Sequence, residues 1–406
     1  MKKIVRFFTS IVLMVGIIAG CMAQMPDLTY AASAFVQEHS DMIGQGGYIY
    51  YIRTSEKNLN ASVWRMNLET GDTEKVISEP NGIVSLIACG KQLYYTTAND
   101  DAQWEVRTCS LNGDDLKTVC EGSVCYADSE NVYYIRYIND SQARLYVMNL
   151  ASGASTTIKT AKKGQTLSYV CNIGSDSYYY IYDSAADKVM LYCLHTATNQ
   201  LTRVATEKRV ADGRNGLLVS DVRQIGSELY FDFGSYEGSG GFWSGTIKKL
   251  TVDGKKKTVA KLTGDDTIIA GSRELYFYDD KGNNYKYNLK TGKKTKYSLK
   301  FENNIGYTIL GDKTYMADTS NMKKIVISRF SSGTDRETLT KNFISIPFKQ
   351  KKNISYSVSM KQVGVYYAIC VTGKDFSDMS YGWRGKTVSI NWYVTEPAGT
   401  VLGSFK

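Results

Sequence analysis

Histidine is nearly absent from this sequence, which has only His39 and His195 among 406 residues. This scarcity excludes a metal centre built from several imidazoles. Proline is also rare, with four residues, whereas apolar residues make up 43% of the chain. Disordered chains are poor in apolar residues, so the composition indicates a folded protein with a substantial core.

Long apolar helices are lacking as well. The one early apolar run, residues 11–18, follows Lys2, Lys3 and Arg6 and is too short to favour a membrane span. This arrangement predicts an export signal and short linker over residues 1–34. Cleavage is expected either before Cys21, which would then carry a lipid, or near residues 31–34. Both alternatives predict an extracytoplasmic protein that is lipid-anchored or secreted.

Cysteine motifs for metal binding are absent, although the chain has eight cysteines. Apart from Cys21, they form no C-x-x-C pair and have no histidine at ligand spacing. Most lie in apolar stretches, which predicts buried, small apolar residues, no metal and no cofactor. A disulfide between Cys120 and Cys125 is the alternative that remains open.

Acidic residues are outnumbered, and the formal net charge is +9. The surplus lysines concentrate in residues 255–257, 293–296 and 349–352. Such runs indicate solvated hairpin turns, with loose attraction to polyanions such as wall polymers or anionic lipid headgroups as the alternative. Membrane contact is expected only through a lipid anchor at Cys21. No nucleic-acid-binding module accompanies them, so nucleic acid is not an expected partner.

Tyrosine, in contrast, is abundant, with 31 residues. One tyrosine of a recurring phrase recurs every 39 to 51 residues, and these markers are Tyr50, Tyr94, Tyr133, Tyr179, Tyr230, Tyr276, Tyr315 and Tyr366. This period is typical of propeller blades when long helical periodicity is missing. Each tyrosine is predicted to fill the space between wedge-shaped blades.

Each repeat also contains an alternating strand that ends before a glycine, as in residues 145–150 before Gly153. Gly71 and Gly292 occupy the same place, and Asn199 replaces glycine in the fourth copy. Glycine and asparagine tolerate positive φ, so these residues are predicted to close tight hairpins.

Four strands are predicted for each repeat. In the second repeat they are residues 84–88, 93–97, 104–110 and 117–119. Because a single four-stranded sheet cannot bury both faces, the repeats must pack on one another. The prediction is an all-β protein, a single β-propeller domain over residues 35–406 with four-stranded blades. Eight blades are expected, and seven blades plus an accessory hairpin are the alternative.

The tyrosine-tyrosine-threonine phrase at Tyr94 and the pattern from Leu145 to Gly153 resemble low-density-lipoprotein-receptor-like propellers of the YWTD type. They resemble more closely a bacterial exported family of unknown function that is grouped with these propellers. The resemblance covers roughly residues 40–402 and implies a propeller fold and export. It departs from the receptor pattern at the tryptophan and at most aspartate positions, and only Asp279 and Asp318 hold the fourth position. The receptors' partners are therefore not implied, and no catalytic residues are.

Two loops between second and third strands are unusually long and aromatic, residues 234–245 and 372–386. Aromatic rings on glycine-containing loops suit stacking on sugars or peptides. The candidate ligand-binding residues are Tyr236, Phe242, Trp243, Phe376, Tyr381 and Trp383. Lengthened hairpins whose rings fold back onto the blade are the alternative.

Aspartates recur in the same class of loop, among them Asp100, Asp183, Asp279 and Asp318. Paired carboxylates can cleave glycosidic bonds, but hairpin turns select aspartate for its bonds to the turn backbone. No catalytic set is evident. The sequence predicts a non-enzymatic binding or scaffolding module at the cell envelope, with a protein, peptide or glycan as ligand. The alternative is a carboxylate-dependent glycan hydrolase or lyase.

Overall fold

The structure is a computed structural model of the full chain. It describes residues 42–54, 60–139, 142–208, 217–225, 228–237, 242–250, 255–262, 267–270, 274–278, 284–288, 291–296, 305–310, 313–332, 337–363, 366–375, 377 and 386–405. The expectations for residues 1–34, including the export signal and Cys21, lie outside the described residues. Within the described part, no helix is long and apolar enough to cross a membrane.

The described strands form eight antiparallel, four-stranded sheets, each made of four consecutive strands in sequence order. The first two sheets contain β1 (Met42–Gln45), β2 (Tyr48–Thr54), β3 (Ala61–Asn67), β4 (Thr73–Glu79), β5 (Ser85–Cys89), β6 (Gln92–Ala98), β7 (Trp104–Ser110) and β8 (Lys117–Glu121). The next two contain β9 (Ser123–Ala127), β10 (Asn131–Asn139), β11 (Gln142–Asn149), β12 (Ser155–Thr160), β13 (Gln165–Ile173), β14 (Asp176–Asp183), β15 (Lys188–His195) and β16 (Gln200–Lys208).

The remaining four sheets have the same order. They contain β17 (Leu217–Ile225), β18 (Glu228–Glu237), β19 (Phe242–Leu250), β20 (Lys256–Leu262), β21 (Thr267–Ala270), β22 (Glu274–Tyr278), β23 (Asn284–Asn288), β24 (Lys294–Lys296), β25 (Ile305–Leu310), β26 (Lys313–Asp318), β27 (Lys324–Ser332), β28 (Glu337–Pro347), β29 (Ile354–Val363), β30 (Tyr366–Asp375), β31 (Lys386–Thr395) and β32 (Val401–Phe405). This all-β architecture of four-stranded antiparallel sheets is consistent with a β-propeller.

The second sheet shows why the sequence pattern located the strands. Its observed strands β5 to β8 differ from the predicted ones by at most two residues at any end. β5 and β6 are buried along nearly their whole length, whereas β8 is largely exposed. A continuous apolar run therefore marks the covered strands, and polar residues mark the outer edge.

The hairpin prediction is confirmed at the described positions. Gly71, Gly153 and Gly292 have φ values of 76°, 68° and 70°, and Asn199 has a φ of 55°. The asparagine that precedes these glycines closes the turn, as Asn67 Oδ1 accepts hydrogen bonds from the backbone of Glu69 and Thr70. An asparagine side chain satisfies turn amides in this way without a neighbouring strand.

Six of the eight marker tyrosines occupy the core, and the side chain of Tyr276 lies outside the described part of the chain. Tyr50, Tyr94, Tyr133, Tyr179, Tyr230 and Tyr315 are buried. In the last sheet Tyr366 is only half-buried and its neighbour Tyr367 is buried instead, with its hydroxyl accepting a hydrogen bond from Tyr315 at 2.7 Å. The prediction of a structural role is thus confirmed, with a shift of one residue at the end of the chain.

The chain consists of two compact units. The N-terminal unit spans Ala32–Leu262 and contains the sheets from β1 to β20. The C-terminal unit contains Thr263–Lys406 with the sheets from β21 to β32. Within the N-terminal unit, apolar clusters lie between consecutive sheets, such as the one that joins Tyr178 and Leu191 to Val222 and Phe231.

Candidate functional site

The first predicted aromatic loop is mostly strand. β18 continues to Glu237 and β19 begins at Phe242, with Tyr236 opposite Trp243 in the antiparallel register. Only residues 238–241 separate the two strands, and they lie outside the described residues. Tyr236, Phe242 and Trp243 are therefore hairpin-end residues rather than members of a twelve-residue loop. The pattern missed this because glycine and serine interrupt the alternation that normally marks a strand.

The second predicted aromatic loop is shortened on one side, since β30 extends to Asp375. Phe376, Tyr381 and Trp383 lie outside the described residues, so their role as ligand-binding residues stays a prediction.

Two of the loop carboxylates, Asp183 and Asp318, bond to the backbone of their own turns. Asp183 Oδ1 accepts a hydrogen bond from the backbone of Ala186, and Asp318 Oδ1 accepts one from the backbone of Ser320. Hydrogen bonding by Gln165 and by the turn amide holds the pKa of Asp183 below its usual value. Asp279 lies outside the described residues. Asp183 and Asp318 are thus turn-forming residues, which speaks against their acting as a pair of catalytic carboxylates. Asp100 Oδ1 instead accepts a hydrogen bond from Asn81 at 3.5 Å.

A different group of side chains has the composition of a functional site. Asp176 is the first residue of β14 and His195 is the last residue of β15, and the two are directly opposite in the register. Cys193 lies two residues before His195, so both side chains project from the same face of the strand. Antiparallel pairing therefore brings together side chains that are 19 residues apart in sequence.

The distances within this group are short. Asp176 Oδ1 lies 2.8 Å from His195 Nδ1, and Cys193 Sγ lies 3.9 Å from the same nitrogen. One donor atom from each of the three residues lies within 4.8 Å of the others. We call this group the Asp176–Cys193–His195 cluster. It is the one group of three or more such residues found at this spacing in the described part of the chain.

The cluster is open on one side and closed on the other. The side chains of His195 and Asp176 are 44% and 32% exposed. Cys193 is buried, and it belongs to the apolar cluster that lies between the β13–β16 and β17–β20 sheets. Solvent or a ligand therefore reaches the His195 imidazole and the Asp176 carboxylate, whereas the Cys193 thiol is buried in the apolar cluster.

The thiol itself is not an activated nucleophile. Burial, reinforced by the negative charge of Asp176, raises the pKa of Cys193 to about 12. Catalytic cysteines need a lowered pKa, because the thiolate is the attacking form. The raised pKa therefore argues against cysteine-type catalysis, even though the cluster combines cysteine, histidine and aspartate.

The turn beside the cluster is fixed from two directions. Thr196 Oγ1 donates a hydrogen bond to the carbonyl of Ser175, which ties the end of β15 to the start of β14. From the β9–β12 sheet, the Tyr133 hydroxyl donates to Thr196 O at 3.1 Å and to Asn199 Oδ1 at 2.8 Å. A marker tyrosine thus positions the segment that carries His195.

The donor set fits a transition metal. Imidazole, thiolate and carboxylate are all ligands of zinc, and three protein ligands with a free fourth position are typical of catalytic zinc sites. Zinc lies about 2.0–2.3 Å from such ligands, so donor atoms within 4.8 Å of one another can reach one ion by small side-chain rotations.

Sequence reasoning missed this cluster. It named no metal ligands, which stays an expectation, and it saw no partner for His195 in the sequence. The register of β14 and β15 brings Asp176 and Cys193 beside His195. The available signal was Cys193-x-His195 within a strand, because an i, i+2 spacing places two donors on one face. The seven cysteines of the described part form no disulfide, so the structure does not show the alternative disulfide between Cys120 and Cys125.

A second polar group lies between the first two sheets. The Tyr95 hydroxyl donates to Glu79 Oε1 at 2.5 Å, and Arg107 pairs with Glu79 at 2.9 Å and with Glu105 at 2.5 Å. Glu79, Tyr95 and Glu105 are buried. Because these side chains bond to one another and are largely buried, they indicate a structural network rather than a substrate-binding site.

No family model matches the chain, and no curated protein matches it. Solved structures with a similar fold include a prolyl endopeptidase at 13% identity and a TM-score of 0.48, covering 88% of this chain and 57% of that one. An oligogalacturonate lyase in complex with manganese is 12% identical with a TM-score of 0.40, covering 80% and 95%. Dipeptidyl peptidase 4 of Porphyromonas gingivalis is 10% identical with a TM-score of 0.48, covering 93% and 60%.

This chain spans only 57% and 60% of the lengths of the two peptidases. The expectation of a non-enzymatic module is contradicted, because these structures with a similar fold are hydrolases and a lyase. Their low identities and TM-scores assign no reaction, so the chemistry must be argued from the residues of this chain.

Proposed function

We propose that this protein is a metal-dependent enzyme of the hydrolase or lyase class. The observation that carries the proposal is the Asp176–Cys193–His195 cluster, in which three different metal-ligating side chains converge at a solvent-accessible sheet end. Zinc is the ion that best suits this mixed set of nitrogen, sulfur and oxygen donors.

The roles of the residues follow from their positions. His195 Nδ1 and one oxygen of Asp176 supply the two exposed ligands, and Cys193 supplies the buried one. An ion held by these residues would supply Lewis-acid chemistry, with which a bound water would be activated or a substrate oxygen polarised. Tyr178 lies opposite Cys193 in the register of β14 and β15.

The 2.8 Å contact between Asp176 and His195 also supports a second candidate mechanism. In that mechanism His195 acts as a general base, with its Nδ1 proton donated to Asp176 and its Nε2 facing the substrate. The two mechanisms differ in their need for Cys193, since only the metal-dependent one uses the sulfur.

The test is metal binding by the full chain, followed with cobalt(II) as a spectroscopic substitute for zinc. We expect an absorption band from thiolate-to-cobalt charge transfer and an increase in thermal stability with zinc. Cys193→Ser should remove the band, and His195→Gln should weaken binding by at least tenfold. Cys171→Ser, which changes a buried cysteine of the same apolar cluster, is the matched control and should bind normally.

Hydrolysis and elimination are then assayed with peptide and polysaccharide panels, with and without a chelator. Activity that is lost in Cys193→Ser and with the chelator supports the metal-dependent mechanism. Activity that survives both changes but is lost in His195→Gln supports the Asp176–His195 base instead. Zinc binding that is equal in Cys193→Ser and in the unchanged chain would refute the proposed metal site.

We further propose that the eight sheets are eight blades of one propeller and that the protein is exported. The common strand order of the sheets supports the first proposal, and the basic and apolar start of the sequence supports the second. The resemblance to the exported YWTD-type family is consistent with both. Mass spectrometry of the mature N-terminus would separate a lipidated Cys21 from a free end near residue 35.

A further inference from the structure

Two lysine-containing loops of the C-terminal unit are held together as one surface. One is the turn between β26 and β27, and the other is the connection from β28 to β29. The backbone of Phe348 donates to Lys323 O at 3.0 Å, and the backbone of Gln350 donates to Met322 O at 2.9 Å. Gln350 Nε2 adds hydrogen bonds to the carbonyls of Thr319 and Asn321, both at 2.8 Å.

The second loop is also anchored from below. The ring of Phe348 packs edge-on against Tyr356 at 5.2 Å, and the Tyr356 hydroxyl accepts a hydrogen bond from the backbone of Lys351 at 3.0 Å. The surface is thus supported by contacts on two loops and on β29, so the backbone positions that carry its lysines keep a fixed spacing.

This surface is strongly basic. Its five exposed lysines are Lys323, Lys324, Lys349, Lys351 and Lys352. Within residues 313–332 and 337–363 the acidic residues are Asp318 and Glu337, and Asp318 is already bonded to the backbone of Ser320. Among the described residues, none of the five ammonium groups forms an ion pair. We call these five residues with Met322 the basic patch.

An apolar side chain stands within the basic patch. Met322 is 46% exposed and directly precedes Lys323 and Lys324. A soluble polyanion offers phosphates or carboxylates to the lysines, but it has no place for a thioether. An anionic lipid surface offers both headgroup charge and an apolar interior.

We propose that the basic patch docks the protein on the surface of an anionic lipid bilayer. Lysine suits this task, because its ammonium is a compact charge that attracts headgroups without demanding a fixed geometry. Met322 adds a shallow apolar contact at the same place. This inference is independent of the metal-dependent chemistry, since it uses other residues in the other unit.

The test uses the full chain with Cys21→Ser, so that no lipid at position 21 contributes. Binding is compared on vesicles of phosphatidylcholine alone and of phosphatidylcholine mixed with phosphatidylglycerol. We expect stronger binding to the anionic vesicles, weakening as salt is added. The triple variant K349Q/K351Q/K352Q should lose roughly fivefold in affinity for each lysine removed.

The matched control is K293Q/K296Q/K341Q, which removes three exposed lysines of the same unit outside the basic patch. It should keep most of the binding. Met322→Gln should weaken binding to anionic vesicles roughly fivefold and leave binding to soluble polyphosphate unchanged.

Equal losses in the two triple variants would overturn the proposal, because net charge rather than the basic patch would then determine binding. So would equal binding to both kinds of vesicle. Unchanged vesicle binding in Met322→Gln, together with full competition by polyphosphate, would identify a soluble polyanion as the partner instead.

Discussion

The two compact units have the same sheet design and a different balance of charge. Residues 42–262 contain 24 lysines and arginines against 24 aspartates and glutamates, whereas residues 263–406 contain 22 against 13. Residues 263–406 therefore carry a net charge of +9, the value for the whole chain. The two units repeat the same four-stranded sheet but differ in the charge of their residues.

Charged residues also serve different purposes in the two units. In the N-terminal unit, buried carboxylates such as Glu79 and Glu207 have basic partners between sheets. In the C-terminal unit, the lysines of the basic patch are exposed. The comparison indicates that charge contributes to sheet packing in the N-terminal unit and is available for binding in the C-terminal unit.

Arg107→Gln should have the largest effect on this comparison. It leaves Glu79 and Glu105 buried without their common cation, and breaking a buried pair in this way costs about 3–5 kcal/mol. Chemical denaturation should show a loss of this size. Lys341→Gln, an exposed lysine of the C-terminal unit, should change the free energy of unfolding by less than about 0.5 kcal/mol.

A loss below about 1 kcal/mol for Arg107→Gln would show that the network is not a packing element. Glu79 and Glu105 would then contribute no more to stability than the exposed lysines do. The proposed difference between the two units would be wrong.

Two glycines provide a matched pair, one in each unit. Gly113 has a φ of 91°, and a Cβ there would lie 2.3 Å from Val76 O. Gly399 has a φ of 96°, and a Cβ there would lie 2.3 Å from Phe343 O. Alanine at either position should therefore lower the free energy of unfolding by about 2–3 kcal/mol.

Hydrogen exchange would locate each effect. Gly113→Ala should reduce protection in β1 to β8, and Gly399→Ala should reduce it in β25 to β32. The control is Gly153→Ala, which has positive φ but nothing within 4 Å of the added Cβ and should cost only about 1 kcal/mol. Equal loss of protection in both units from either variant would show that the two unfold together.

A smaller effect concerns two buried tyrosines at high pH. Burial, with hydrogen bonding to Glu79 or Tyr367, raises the pKa of Tyr95 and Tyr315 well above the usual tyrosine value. The unfolded chain releases these protons near pH 10 and the folded chain does not. Their contribution to stability is therefore complete below pH 10 and is lost as the pH rises above it.

Tyr95→Phe and Tyr315→Phe should each make the stability decline less steeply above pH 10, measured by denaturation at pH 8 to 11. Each should also cost about 1 kcal/mol at neutral pH through the lost hydrogen bond. An unchanged alkaline slope in both variants would contradict the inferred burial of the two hydroxyls.

Much of the fold could be predicted from short-range pattern. The strands β5 to β8 and the positive φ of Gly71, Gly153 and Asn199 followed from apolar runs and turn residues, because these depend on local sterics and burial. The prediction erred at residues 234–245, where glycines concealed the ends of β18 and β19. Local pattern is weakest where a strand lacks side chains that would mark its two faces.

The sites were less predictable, because they depend on pairing. Asp176 and His195 are neighbours because of the antiparallel register of β14 and β15. The loops that carry Lys323 and Lys349 are joined by backbone hydrogen bonds. A lysine run could be recognised in sequence, but its joining to a second run and to Met322 could not.

By itself, the sequence determined the repeat, the strand positions and the hairpin turns, since each arises from the conformational preferences and burial of neighbouring residues. Tertiary structure alone decided which side chains became neighbours across strands and between loops. A shift of one residue in register would move Asp176 to the opposite face from His195. The cluster therefore exists only because the packed sheets fix that register.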